Sequence, residues 1–179
     1  MKFAFFRSIF FVLLLLSFFS SCSDTKKWDV KEAVTKIFAP DELQFRRFET
    51  GMNRTEFDAA YTGDAIYGNE MEVIDSLTVS EGVYCETAFR FKNQILTEIS
   101  VQILIDSEEK KDELLKELRT KLTEDYGEGI KEDTQHYWRA EGGLVTTDIF
   151  LTDHSSAPNT NTANRFVIVL FYMVGTMVS

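Results

Sequence analysis

Apolar and polar residues alternate along much of this chain, and the period of the alternation changes from segment to segment. Val83, Cys85, Thr87, Phe89 and Phe91 fall on one side of a two-residue repeat, and Ile95, Thr97, Ile99, Val101, Ile103 and Ile105 repeat the pattern. A period of two belongs to a strand with one buried face. The two runs flank Lys92-Asn93, so they predict an antiparallel hairpin turning at those residues.

Elsewhere the spacing widens to three and four, the period of a helix packed on one side. Leu114, Leu118, Leu122 and Tyr126 recur every fourth residue and Leu115 widens the stripe, while Glu108, Lys111, Asp112, Lys116, Glu117 and Lys121 fall mostly on the wet side. Asp106 with Glu109 reads as a capping box, in which side-chain oxygens satisfy orphan amides of the first turn. Gly127 suits the position just past the end, where a left-handed residue closes the helix. One long amphipathic helix over 107–126 is therefore predicted. Trp28, Val30, Val34, Ile37 and Phe38 approximate the same period before Ala39-Pro40, and Asp41 to Phe48 reads as a second short piece. Asn53 and Glu56 form another capping box, opening a helix that carries Phe57, Ala60 and Tyr61 and stops at Gly63.

Glu72 to Val79, Gln135 to Arg139 and Leu144 to Thr152 read as further strands. Asp153 to Asn164 is polar, carries Pro158 and reads as a loop. Phe166 to Val174 is continuously apolar, which predicts a sheet strand covered on both sides. The expected fold is α+β: a mainly antiparallel sheet of about five to six strands against one long helix, with short N-terminal helices. The chain has 179 residues, of which 44% are apolar and 16 are Phe, enough for one core and hardly for two.

The N-terminus follows neither period. Lys2 and Arg7 precede an apolar run from Ile9 to Phe19, interrupted by Ser17, and Ser20, Ser21 and Cys22 follow at once. The run is short of the ~20 residues that cross a bilayer as a helix, and it fits the apolar region of a signal peptide. This arrangement resembles the signal of bacterial lipoproteins, whose lipobox ends in small residues and a cysteine. Phe19 stands where that pattern prefers Leu. The resemblance implies that Cys22 receives a diacylglyceryl group and becomes the first residue of the mature protein. Acyl chains anchor at ~0.8 kcal/mol per buried CH₂, so a multiply acylated Cys22 would stay on the membrane. Residues 1–21 then form the signal peptide, 22–27 a lipidated polar tether, and 28–179 a single domain. The alternatives are an ordinary secretory signal cleaved near Ser21 and an uncleaved anchor. The expected location is the cell envelope, on a bacterial membrane (the outer in preference to the inner), with the domain in the periplasm or at the cell surface.

Charge narrows the partners. Nineteen basic residues stand against 29 acidic ones, a formal net charge of −10, and losing Lys2 and Arg7 with the signal makes the mature chain more acidic still. Such a surface excludes nucleic acid, whose phosphates need cations, and repels anionic headgroups, so the lipid on Cys22 is the expected membrane contact. Two cysteines exclude a Cys-rich zinc site and a disulfide scaffold. Cys85, placed in a strand pattern, reads as a buried inert thiol.

Catalytic chemistry is not encoded in any recognisable pattern. Asp153, His154, Ser155 and Ser156 offer the residue types of a hydrolase triad, but neighbours in a loop do not converge around an oxyanion hole, and a capped turn explains them. Asp148, Asp153 and His154 mix carboxylate and imidazole without the three fixed ligands of a catalytic zinc. Asp106-Ser107-Glu108-Glu109 lacks a calcium loop's alternating ligands and suits a helix N-terminus. Gly127 and Gly129 follow a helix, whereas a phosphate loop precedes one. No metal, no cofactor and no enzymatic activity are expected. Among the aromatics, Tyr61, Tyr67, Tyr84, Tyr137, Trp138 and Tyr172 could line a partner or sugar surface, although core positions explain most of them. The candidate binding residues are Tyr84, Glu86 and Arg90 on one strand face, with Tyr137 and Trp138; the 153–164 loop is a second candidate.

Two passages carry a further resemblance. Gly51-Met52-Asn53 opening a helix with Glu56-Phe57 resembles the Gly-Met-Thr helix start of small lipoproteins of the SmpA/OmlA (BamE-like) group, which shares its fold with β-lactamase inhibitory protein. Phe91-Lys92-Asn93-Gln94-Ile95-Leu96, then Leu122-Thr123-Glu124-Asp125-Tyr126-Gly127 and Trp138, is similar to small bacterial lipoproteins in which a hairpin precedes a helix ending in Tyr-Gly. The matches cover about a quarter of the mature chain. They imply a sheet-and-helix module that binds proteins and catalyses nothing, with no family active residue to carry over. The chain departs from the pattern in its extra N-terminal helix and in three strand-like segments after the long helix.

The functional expectation is a membrane-anchored envelope lipoprotein that binds another envelope protein as adaptor, assembly factor or inhibitor. The alternative is a lipoprotein holding a small ligand or glycan between sheet and helix. Cys22→Ala is expected to move the protein from the membrane pellet to the soluble fraction. Retention of the variant in the pellet would point to an uncleaved anchor.

Overall fold

The computed structural model describes residues 28–39, 48–63, 65–141, 144–155 and 166–175. The expected signal peptide, Cys22, the expected tether, the piece at 41–47 and most of the 153–164 loop lie outside the described residues. The elements in chain order are α1 (Val30–Ile37), α2 (Arg54–Ala60), β1 (Tyr67–Gly68), β2 (Glu72–Ser80), β3 (Val83–Lys92), β4 (Ile95–Ile105), α3 (Glu108–Tyr126), β5 (Ile130–Glu132), β6 (Gln135–Ala140), β7 (Thr147–Asp153) and β8 (Phe166–Val174).

The two alternating runs pair as expected, β3 antiparallel to β4 from Val83↔Ile105 to Lys92↔Ile95. Their turn is one residue later than the spacing suggested, at Asn93 and Gln94, both with positive φ (52° and 65°). Two left-handed residues match the right-handed twist of the flanking strands. All pairings in the sheet are antiparallel, and the order is β1-β2-β3-β4-β8-β7-β6-β5. Each half of the chain thus runs as a meander from an edge to the centre, and the halves join where β4 meets β8. Eight strands replace the expected five or six in part because β1 and β5 are only two and three residues long. β7 starts at Thr147 instead of Leu144.

Helix α3 carries the chain from β4 at the centre to β5 at the far edge, lying over β4, β8 and β6. Leu114, Leu118 and Leu122 are its buried stripe, as their spacing requires. Three details differ from expectation. The N-cap is Ser107, whose hydroxyl accepts from Lys110 N, and Asp106 pairs with the Lys110 ammonium at 3.1 Å instead. Lys111 is not on the wet side: it extends the leucine stripe by one turn, its stem is buried, and its Nζ reaches Asp153 at 3.1 Å. Gly127 ends the helix at φ 80°, ψ −167°, outside the left-handed helical region and in one reserved for glycine.

Helix α1 lies against α3 and β2. The Trp28 indole N–H donates to Glu113 at 2.7 Å, and Lys36 Nζ donates to Val79 O at 3.0 Å. Asn53 and Glu56 form the expected capping box of α2, but the helix closes at Tyr61, before Gly63. Tyr61 turns to an extended backbone there, stacks on Phe57 and donates its hydroxyl to Asp75. Phe48, Phe57, Phe89 and Phe91 complete this aromatic cluster, with Phe48 and Phe57 ring centres 4.4 Å apart.

All three helices contribute to one core. Cross-strand neighbours share a face, so the register assembles whole rows under the helices, among them Phe89–Ile99–Tyr172–Ile149–Trp138. Cys85 is fully buried in the same layer, and desolvation pushes its thiol far above the ordinary range, which keeps it inert. β8 is covered on this side by α3. Contrary to expectation, no helix covers its other side among the described residues. Leu118→Ala is expected to cost about 2–5 kcal/mol in chemical denaturation, and Leu115→Ala, at the edge of the stripe, clearly less.

Candidate functional site: the uncovered face of the sheet

The second face of the sheet is assembled by the same register. One row crosses all eight strands: Tyr67, Ile74, Ala88, Ser100, Phe171, Phe150, Tyr137 and Ile130. The small residues Ala88 and Ser100 lie between the pair Tyr67–Ile74 and the larger group Phe171–Phe150–Tyr137–Ile130. Tyr67 and Ile130 at the two edges are 50% and 58% exposed, and Met173, beside this row on β8, is 41% exposed. A depression of about 370 Å³ is lined by Phe150, Phe171 and Met173 together with Glu98, Gln135, Thr152 and His154. Apolar surface gathered within a polar surround is the composition of a recognition site rather than of ordinary solvent-facing sheet.

Two polar clusters flank this strip. On the β2–β3–β4 side, Arg90 bridges Glu72 (Nε to Oε1 2.8 Å) and Glu98. On the β6–β7 side, Arg139 holds Asp148 with two bonds, of 2.7 and 3.1 Å, and the Tyr137 hydroxyl donates to the same carboxylate at 2.8 Å. Asp148 is nearly buried, and the Arg139 hydrogen bond, against the cost of desolvation and aided by Tyr137, holds its carboxyl below the usual carboxylate range. Glu86 adds further negative charge to the same face. The arrangement can grip a partner through aromatic contact and a fixed acidic pattern.

The sequence-derived candidates separate cleanly. Tyr84, Glu86 and Arg90 do share one side of β3, and it is the uncovered side. Tyr137 joins that face three strands beyond β4, with its ring 5.2 Å from Phe150. Trp138 does not: it points to the helix face, is 2% exposed, and stacks on buried His136 at 5.8 Å. Adjacent residues of a strand face opposite ways, so Tyr137 and Trp138 cannot serve one surface. Tyr61 and Tyr172 also lie under the helices, whereas Tyr67 is on the open side.

The register likewise divides Asp148 from Asp153. Asp148 faces the open side with Arg139, and Asp153 faces the helices, where it accepts from Lys111. Among the described residues, no group of three His, Cys, Asp or Glu side chains could hold a metal ion. Asp153 also accepts from the Ser155 amide at 2.9 Å, which is the capped turn anticipated for this loop, and His154 is exposed beside it. No helix among the described residues is long and apolar enough to cross a membrane.

No protein-family model matches the chain, and no curated protein and no solved structure is significantly similar to it. The open face therefore rests on its own geometry. Sequence reading did not single out Phe150, Phe171 or Met173, because each lies in a run with apolar residues on both sides. Strand order is what brings them together.

Asp148→Asn is expected to lower stability by about 1–2 kcal/mol at neutral pH, because Arg139 and Tyr137 lose a charged acceptor. The sign of the pH dependence follows from the depressed carboxyl: its stabilisation is complete above the ordinary value of 3.8 and drains away as pH falls below it. The difference between variant and parent in denaturant titrations should accordingly shrink under acid conditions.

Proposed function

We propose that this protein is a lipid-anchored bacterial envelope protein whose open sheet face binds another envelope protein, without catalysing a reaction. The observation that carries the reading is the row from Tyr67 to Ile130, continuous across eight strands on the side that the described helices leave uncovered. Three things support it. The row is aromatic and aliphatic at a place where water would favour polar residues. Its flanking groups are fixed by cross-strand ion pairs, so a partner meets a preorganised pattern at low entropic cost. The edges are two and three residues long, which directs association to the face instead of to edge pairing.

The acidic excess on this face, with both arginines engaged by carboxylates, suits a partner that presents an apolar anchor ringed by Lys or Arg. An acyl group on Cys22 and the tether to residue 27 would hold the domain close to the membrane while leaving the face free to turn toward such a partner. Nucleic acid is a poor fit to the same charge.

The deciding experiment installs a photo-crosslinking amino acid at Tyr84, at Met173 and, on the outer side of α3, at Lys116, each in the full chain in native membranes. The expected result is an adduct of one defined mass from the first two positions and none from Lys116. Adducts from Lys116 alone, or from no position, would sink the reading.

A further inference from the structure

A second cavity lies on the helix face, on the opposite side of the sheet from the strip described above. Its volume is about 370 Å³, within the range of pockets that take small organic ligands. Three separate stretches of chain wall it: residues 48–50, the C-terminal end of α3 at Tyr126, and the loop at Leu144 and Val145. Sheet residues from β4, β6, β7 and β8 complete it, including fully buried Ile149. Phe48, Ile99, Ala140, Leu144, Val145 and Ile149 line it beside Tyr126 and Tyr172, which add polar hydroxyls, and two further polar features stand among them.

The first is a hydroxyl pair. Thr50 Oγ1 and Thr147 Oγ1 are 2.7 Å apart, and both residues line the cavity. One O–H of the pair is spent on the other oxygen, so the pair retains one donor and spare lone pairs. The second is Glu49, an exposed carboxylate at the mouth. Among the described lining residues there is no Lys, Arg or His to offset it. A hydroxyl or carbonyl can therefore be satisfied here, whereas an anionic head would meet a like charge with no counter-charge.

We propose that this cavity binds a neutral, largely apolar molecule of on the order of a dozen heavy atoms, with one hydroxyl or carbonyl bonded to the Thr50–Thr147 pair. The site is independent of the protein-binding reading, because its residues lie on the other side of the sheet. Gly51 already packs against Leu144 and Val145, and Thr50 bonds Thr147; a ligand that binds only the folded protein would add to these contacts, so it should also raise the unfolding temperature.

The experiment is photolabelling of the full chain in native membranes with a medium-chain alkyl diazirine alcohol, its carboxylic acid analogue and the matching hydrocarbon. Adducts are mapped to residues by mass spectrometry. The expected result is alcohol labelling at Tyr126, Leu144 or Val145, competed by the unlabelled alcohol. Thr147→Val should lower alcohol labelling about fivefold and leave hydrocarbon labelling unchanged. The acid should label several-fold less, and Glu49→Gln, a change at an exposed position that leaves the core intact, should restore it. Ala140→Leu should suppress all labelling without lowering the unfolding temperature, and Lys116→Gln on the outer side of α3 should leave the labelling unchanged. Labelling spread over the surface, acid and alcohol labelling alike, or full labelling of Ala140→Leu would each overturn the proposal. None of these outcomes bears on the crosslinking at Tyr84 and Met173.

Discussion

The pairing of β4 with β8 is the constraint on which the rest of the molecule depends. Each strand is the inner edge of its own four-stranded meander, and their register, from Glu98↔Met173 to Ile105↔Phe166, makes the two halves one sheet. Without that seam neither half could keep its apolar rows out of water, because each row runs through it. It also accounts for the long helix. A chain that leaves the centre at Ile105 and must restart at the far edge needs a rigid element to cross half the sheet, and α3 crosses it while burying its leucine stripe on the strands beneath.

The two faces are consequences of the same register and have opposite fates. Beneath the helices, hydrophobic rows close into a core that buries Cys85 and Trp138. On the open side the central strand is just as apolar, and it is Arg90 with its two glutamates and Arg139 with Asp148 that keep the surroundings hydrated and the side chains ordered. The clusters contribute position more than stability, since exposed ion pairs are worth little on their own.

How much of this could be read from the residues depended on the range of the interaction. The β3–β4 hairpin, α3 and the span of β8 are local patterns, strong enough to be recognised within about a dozen residues. The charge of Lys111 hides its place in the leucine stripe; Asp112 beside it and Asp153, 42 residues away, both hold its ammonium, and only the second lies beyond the reach of a local pattern. β1 and β5 are too short for any periodicity to register, yet they complete the row that ends at Tyr67 and Ile130. Tyr84, Glu86 and Arg90 were found because alternation within one strand is visible in sequence. Phe150 and Phe171 were not, because cross-strand neighbours are a property of strand order, which no single segment contains.

The place of β8 also bears on how the molecule comes into being. The last of the described strands is the one that belongs in the middle, so a growing chain can form its hairpins but cannot close this sheet until residue 174 has been delivered. Until then β4 and β7 each lack the partner that β8 supplies, and the rows of apolar side chains are unfinished. A ribosome that holds back β8 therefore holds back the joining of the two halves.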